Sequence, residues 1–234
     1  LRQVAAGAQV LDVNVGISGG DESALIIQAI KAISDVTDVP LCIDSAKPEV
    51  LAAGLSVYKG KALVNSANGE ESKIKEVLPI VARYKAAVVC LTMDDKGIPS
   101  DVPTRMKIGD TIVNEATKLG IPLEDIIIDP LAMSVSADDR AGLSALKALA
   151  EIKKNLGVNQ TIGASNVSFG LPDRAFVNGV FLAMAIMKGL TCPITDPTNW
   201  TIRETLLLTD LMLGKDEFSM NFISGYRDQH PEED

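Results

Sequence analysis

The chain has 234 residues, of which 47% are hydrophobic and 23% charged, and it carries a net charge of −9. That composition predicts a well-packed core, and the acidic balance excludes nucleic acid as a partner, because phosphate binding needs a basic surface. No apolar run approaches the roughly 20 residues of a membrane-spanning helix, so no membrane association is expected.

Residues 1–4 do not read as a secretory leader, and the chain does not begin with Met, which points to a trimmed N-terminus. It opens inside a helical stretch at 1–8. Seven short apolar runs then read as buried strands, at 10–15, 40–44, 62–65, 86–92, 126–129, 161–166 and 192–196. Most are rich in Val, Ile or Leu without clean alternation, as expected of strands covered on both faces in a parallel sheet. Between them lie segments with helical apolar spacing, at 22–34, 71–84, 104–119, 143–156, 175–187 and 202–213. Gly or Pro punctuates most junctions: Gly60, Gly120, Gly157 and Gly189 after helices, Pro130 and Pro197 after strands.

Strand followed by helix, repeated, means parallel strands joined by crossovers. No Pro- or Ser-rich linker divides the chain, so a single domain over 1–234 is expected. A doubly wound sheet would need a glycine-rich phosphate turn, and Val15-Gly16-Ile17-Ser18-Gly19-Gly20 lacks the required spacing. The length suits one α/β barrel, whose usual size is about 250 residues. The fold expected is therefore a TIM (β/α)₈ barrel, with its first strand placed upstream of residue 1 by the count of seven.

Cys42, Cys90 and Cys192 are isolated, each in or beside an apolar run, and read as buried free thiols, which fits a reducing cytoplasm. The one histidine is His230. A two- or three-histidine metal site cannot form within one chain, and no protein-bound metal is expected. Chemistry falls to carboxylates, amides, hydroxyls or a bound cofactor.

Those groups gather in a pattern. The strand ends read Asp12-Val13-Asn14, Asp44-Ser45, Asn65-Ser66, Thr92-Met93-Asp94, Asp129-Pro130, Ser165-Asn166 and Asp196-Pro197. Such residues also cap helices and make turns. In a parallel barrel, however, the C-terminal strand ends converge on the face that holds active sites. A carboxylate inside an apolar strand run is costly without partners. An acidic cluster of this kind suits Mg²⁺ through oxygen ligands. It suits equally a neutral heterocycle rich in N–H donors, such as a pterin, whose ring N–H and amino group one carboxylate can accept together.

Several of these segments resemble a known family. Leu11-Asp12-Val13-Asn14-Val15-Gly16, Cys42-Ile43-Asp44-Ser45, Val64-Asn65-Ser66, Ile128-Asp129-Pro130 and Gly163-Ala164-Ser165-Asn166-Val167-Ser168 are similar to the pterin-binding methyltransferases. That family includes methyltetrahydrofolate:corrinoid/iron–sulfur protein methyltransferase and the folate domain of cobalamin-dependent methionine synthase. The segment 180–185 is similar to its penultimate helix. The resemblance implies transfer of a methyl group between methyltetrahydrofolate and the cobalt of a corrinoid (cobalamin) supplied by a separate corrinoid protein, in a direction left open. It implies that Asp44, Asn65 and Asp129 hold the pterin edge, that Asn166 addresses the methyl-bearing ring nitrogen, that Asp12 joins the polar network, and that Arg174 lies toward the aminobenzoate end. It also implies a homodimer paired through outer helices. Phe169 departs from the pattern, standing where a polar residue is expected in the corrinoid/iron–sulfur branch. The alternatives are dihydropteroate synthase, a methyltransferase serving tetrahydromethanopterin, and a non-catalytic folate-binding subunit. The first would need basic residues near the last strand, and 191–198 has none.

Overall fold

The computed structural model describes residues 1–16 and 20–230. Residues 17–19, the centre of the glycine-rich stretch weighed as a phosphate turn, lie outside the described residues. After a short helix α1 (Arg2–Ala5), strands and helices alternate: β1 (Leu11–Asn14), α2 (Glu22–Ser34), β2 (Leu41–Asp44), α3 (Pro48–Val57), β3 (Leu63–Asn68), α4 (Glu71–Tyr84), β4 (Ala87–Leu91), α5 (Val102–Lys118), β5 (Ile126–Asp129), α6 (Ala141–Asn155), β6 (Asn159–Gly163), α7 (Arg174–Lys188), β7 (Cys192–Ile194), α8 (Trp200–Met212) and α9 (Met220–Gln229). The strands form one sheet in the order β1 to β7, and each pairs in parallel with its sequence neighbours. This is the β/α repeat of a TIM barrel, with seven strands among the described residues.

Residue register explains how one sheet makes both a core and a site. Val13, Ile43, Val64, Val88 and Ile126 are cross-strand partners in one row. All are buried and pack in the cluster that joins the sheet to α2–α5. The adjacent row, Asn14, Asp44, Asn65, Val89 and Ile127, points to the opposite, inner side, because neighbours along a strand alternate faces. Asp12 and Cys42 share that inner face one step lower on β1 and β2, and Asp129 shares it one step higher on β5. A second cluster, with Ile162, Leu146, Leu149, Phe181, Leu182 and Ile202, seats β6 on α6–α8.

Helix starts follow local chemistry. Asp21 caps α2 by accepting from the Ala24 amide at 3.0 Å, and Asp101 caps α5 from Thr104 at 2.8 Å. Helix α7 ends at Gly189 with φ of +118°, where a Cβ would sit 2.9 Å from the Gln160 amide nitrogen. Among the described residues no helix is long and apolar enough to cross a membrane.

Four departures from the sequence expectations have physical causes. β6 starts two residues early and ends at Gly163 rather than 166, and residues 164–168 form a 3₁₀ turn. The three-residue period puts Ala164 and Val167 on one side, and both are buried in the second cluster. The polar start, Asn159-Gln160, is held by Asn159 donating to the Glu124 carbonyl and by Gln160 donating to Gly189, each at 3.0 Å. β3 runs on to Asn68 through a register shift between Asn65 and Ala67; the Asn65–Ser66 peptide bond there is cis. Helices α3 and α9 were not anticipated. α3 carries Gly54 where it crosses Ile30 and Ile43, and α9 buries only Gly225.

Ile128 is wholly buried in the sheet–helix core. Ile128→Ala should lower the unfolding free energy by about 2–5 kcal/mol. Urea denaturation checks this, and a loss below about 1 kcal/mol would contradict the packing described.

Candidate active site

Four of the expected residues lie on the inner face: Asp44 and Asn65 in one row, Asp12 one step below it and Asp129 one step above. Asp12 on β1 is the register partner of Cys42 and lies diagonal to Asp44 on β2, whose own partners are Asn14 on β1 and Asn65 on β3. Asp129 ends β5. Asp12 lies close enough to act on both Asp44 and Cys42. Burial raises the Asp44 carboxyl above the ordinary carboxylate value; a hydrogen bond from Asn14 opposes this, and the Asp12 charge adds to it. Burial, and then Asp12, push the Cys42 thiol far up, so it stays protonated and unreactive. Cys42 and Cys90 are buried as expected, but Cys192 is exposed, because it opens the three-residue strand β7 at the end of the sheet.

Asn14 fixes the geometry of that group. Its amide nitrogen donates to Asp44 Oδ2 at 2.9 Å, while its oxygen accepts from the Gly16 amide at 2.9 Å. The second bond settles the amide's orientation, so the NH₂ must face Asp44. In the sequence, Asn14 stood in the Asp-Val-Asn strand end without a role of its own.

Asp129 is 6% exposed. Its Oδ1 accepts from the Leu131 amide at 2.7 Å. Burial raises its pKa to about 7, against the pull of the Leu131 amide, the Arg105 charge and the Gly163 amide. Arg105 itself is 3% exposed and lies in the first turns of α5. Sequence reasoning missed it, because one arginine inside a helical pattern looks like surface. Only the buried carbonyls around it reveal its place.

Asn166 and Arg174 belong to the turn that follows β6. Asn166 is exposed and folds back over Gly163, where a Cβ would meet its amide nitrogen at 3.3 Å. The side-chain amides of Asn65 and Asn166 have no hydrogen-bond partner among the described residues. Asn166 borders a pocket of about 240 Å³ with Ile98, Leu131, Ala132, Met133, Ser134 and Phe169. The turn is stitched to the loop after β5: the Ser134 and Ser136 hydroxyls donate to the Phe169 carbonyl, both at 2.7 Å, and the Val135 amide donates to Val167 at 3.0 Å. Arg174 braces it from α7. Its guanidinium donates to the Ser165 carbonyl at 2.9 Å, to Ser165 Oγ at 2.7 Å and to Ser168 Oγ at 3.1 Å, and it lies 4.7 Å from the Phe169 ring centre. Carboxylates and amides thus line one mouth, an arrangement suited to a ligand edge rich in N–H donors.

Comparison with known proteins identifies the family. Residues 1–196 match the family described as "Pterin binding enzyme". This chain belongs to the pterin-binding enzymes. It is 31% identical over 232 residues to the methylcorrinoid:tetrahydrofolate methyltransferase of Eubacterium limosum, covering 97% of this chain and 85% of that one. It is 32% identical over 205 residues to the methionine synthase of Mycobacterium tuberculosis, covering 82% of this chain but only 17% of that protein. Among solved structures, it is similar to the Yersinia pestis dihydropteroate synthase with a pterine–sulfa conjugate, with a TM-score of 0.72, 18% identity, and coverage of 91% and 86% of the two chains. The Coxiella burnetii dihydropteroate synthase in complex with pteroic acid gives a TM-score of 0.67 at 18% identity, over 90% and 83%. At that identity these likenesses establish the barrel fold.

The buried carboxylate gives this pterin-binding enzyme a pH signature. Asp129 has an ordinary value of 3.8 and a folded value of about 7. Between the two, the folded protein holds a proton that the unfolded chain has released. Stability therefore falls as pH rises from about 4 toward 7, by roughly 4 kcal/mol at most. Asp129→Asn removes the titrating group, so without ligand it should gain on the parent protein by that order between pH 4 and pH 8. Denaturation midpoints across that range check it; a parallel pH course for the two proteins would refute the assignment.

Proposed function

We propose that this chain transfers a methyl group between methyltetrahydrofolate and the cobalt of a corrinoid presented by a partner protein. The observation that carries the reading is the convergence of Asp44, Asn65 and Asp129 on one mouth beside an amide, Asn166, that no protein group engages among the described residues. The Eubacterium limosum relative, matched over nearly the whole chain, supports methyl transfer over dihydropteroate synthesis. So does the segment 191–198, which lacks the basic residues a pyrophosphate would require.

In this reading Asp129 and Asp44 accept hydrogen bonds from the pterin's ring N–H and amino groups, and Asn65 addresses the neighbouring carbonyl and ring nitrogen. A tertiary amine is a poor leaving group, so the methyl-bearing nitrogen must gain positive charge before or during displacement. The Asn166 amide oxygen accepts a hydrogen bond from the protonated nitrogen, and its NH₂ donates to the unprotonated form. That preference for the charged state contributes about 1–3 kcal/mol. Positioning of the methyl group in line with the incoming cobalt supplies the rest. The corrinoid is a substrate here; its cobalt accepts or returns the methyl group. Arg174, by holding Ser165 and Ser168, sets where Asn166 stands, and its outer edge lies toward the aminobenzoate end of the folate. The active unit is a homodimer in the cytoplasm.

Binding and chemistry should separate under mutation. Asp129→Asn turns a donor toward a pterin donor and should weaken methyltetrahydrofolate binding about 5- to 150-fold, equivalent to about 1–3 kcal/mol. Asn166→Ala should leave that binding closer to normal and lower turnover at saturating folate more than the Asp129 change does. The measurement is methyl transfer between methyltetrahydrofolate and cob(I)alamin, with folate affinity measured alongside. No turnover by the parent protein, despite folate binding, would favour a folate-binding subunit. Full turnover by Asn166→Ala would remove the proton-handling role.

A further inference from the structure

Arg105 is a buried charge without a carboxylate partner in hydrogen-bond contact. Its Nε donates to the Pro99 carbonyl at 2.9 Å, and one terminal nitrogen donates to the Pro130 carbonyl at 2.9 Å and the Leu131 carbonyl at 3.1 Å. Among the described residues it forms no ion pair. Neutral carbonyls do not compensate a desolvated guanidinium fully. The opposite charges that act on it are Asp101, at the start of its own helix, and Asp129.

Two of the three carbonyls, those of Pro130 and Leu131, belong to the loop after β5. Leu131 has φ of +64°, a left-handed conformation that L side chains disfavour and that persists only when the surroundings enforce it. That conformation sends the Leu131 carbonyl to Arg105 and the Leu131 amide to Asp129 Oδ1, at 3.1 and 2.7 Å. The same arginine ties down Pro99 in the loop after β4. A planar guanidinium can reach both loops at once in fixed directions; an ammonium on a flexible stem cannot.

We propose that Arg105 is a positioning residue for Asp129: by clamping the loops after β4 and β5 it aims the Leu131 amide at the Asp129 carboxylate and keeps that carboxylate ionised for the pterin edge. The last clause rests on the pterin reading given above. Among the described residues, Arg105 is the charged side chain that acts on Asp129. Cys90 on β4 points into the helix-side core. Asp125 lies at the other end of β5, paired with Lys61 at 2.5 Å. Strand β6 and the turn 164–168 carry no ionisable side chain.

The test uses Arg105→Met and Arg105→Lys, each alone and combined with Asp129→Asn. The first readout is the titration midpoint of the Asp129 carboxyl in the ligand-free protein, followed by carbon NMR. The second is methyltetrahydrofolate affinity from pH 6 to pH 9. Arg105→Met should move the midpoint up by about one unit, lowering the ionised fraction and hence folate affinity at pH 7 about fivefold, with recovery by pH 9. Arg105→Lys keeps the charge without the clamp and should give a smaller shift, which serves if the methionine variant does not fold. In the Asp129→Asn background the pH-dependent part of the loss should vanish. An unmoved midpoint, or an affinity loss that persists unchanged across pH and in the Asp129→Asn background, would overturn the proposal. A shifted midpoint in a protein that binds no folate would uphold the clamp and sink the pterin reading instead.

Discussion

A parallel strand shows its two faces to different surroundings, and the mouth of this barrel depends on how strictly that alternation is kept. Val13, Ile43, Val64, Val88 and Ile126 form one register row against the helices. Burying that row leaves no freedom in the row beside it, since a slip of one residue would turn every side chain to the wrong side. Asn14, Asp44 and Asn65 are therefore held on the inner face by hydrophobic packing on the outer one. The polar groups do not assemble themselves; desolvation of Asp44 and its repulsion by Asp12 oppose the arrangement, and the bond from Asn14 offsets them only in part. The core supplies the restraint.

The two carboxylates beneath the mouth are handled differently. Asp44 is half-buried beside a second acid, and an asparagine whose orientation is settled by the Gly16 amide satisfies it. Asp129 is nearly inaccessible and has two backbone amides and a distant buried arginine. Backbone amides are rigid donors and cannot reorganise when a ligand arrives, so Asp129 is preorganised, while its near-neutral pKa records how incompletely those donors replace water. A ligand that brings two N–H groups would complete the solvation of this carboxylate.

Much of this was legible in the sequence, because strand ends advertise themselves. Apolar runs stopping at Asp44, Asn65 and Asp129 located three inner-face residues, and helices α2 and α4 fell on 22–34 and 71–84, matching their observed spans. Residues 164–166 of the turn read as the end of a strand because the run from Thr161 continues through Ala164, and so short a segment cannot distinguish two residues per repeat from three. The polar opening of β6 was lost for the opposite reason: Asn159 and Gln160 satisfy themselves through distant carbonyls that no local pattern reveals. Arg105 was invisible for the same cause. Its three acceptors come from two loops, and nothing within a turn of it in sequence marks it as buried.

Asp44, Asn65 and Asp129 sit on strands, whereas Asn166 sits on a turn pinned by side-chain hydroxyls and by Arg174. Those two kinds of support change at different rates under mutation. Strand residues are bound to a register that the whole core enforces, while a turn closed by a few serines can be rebuilt locally. Under the roles proposed here, descendants of such a chain could exchange one reaction for another through residues 164–168 and still inherit an intact pocket for the same ring. Diversification in this lineage would then run along the loops, with ligand identity as the conserved trait and reactivity as the variable one.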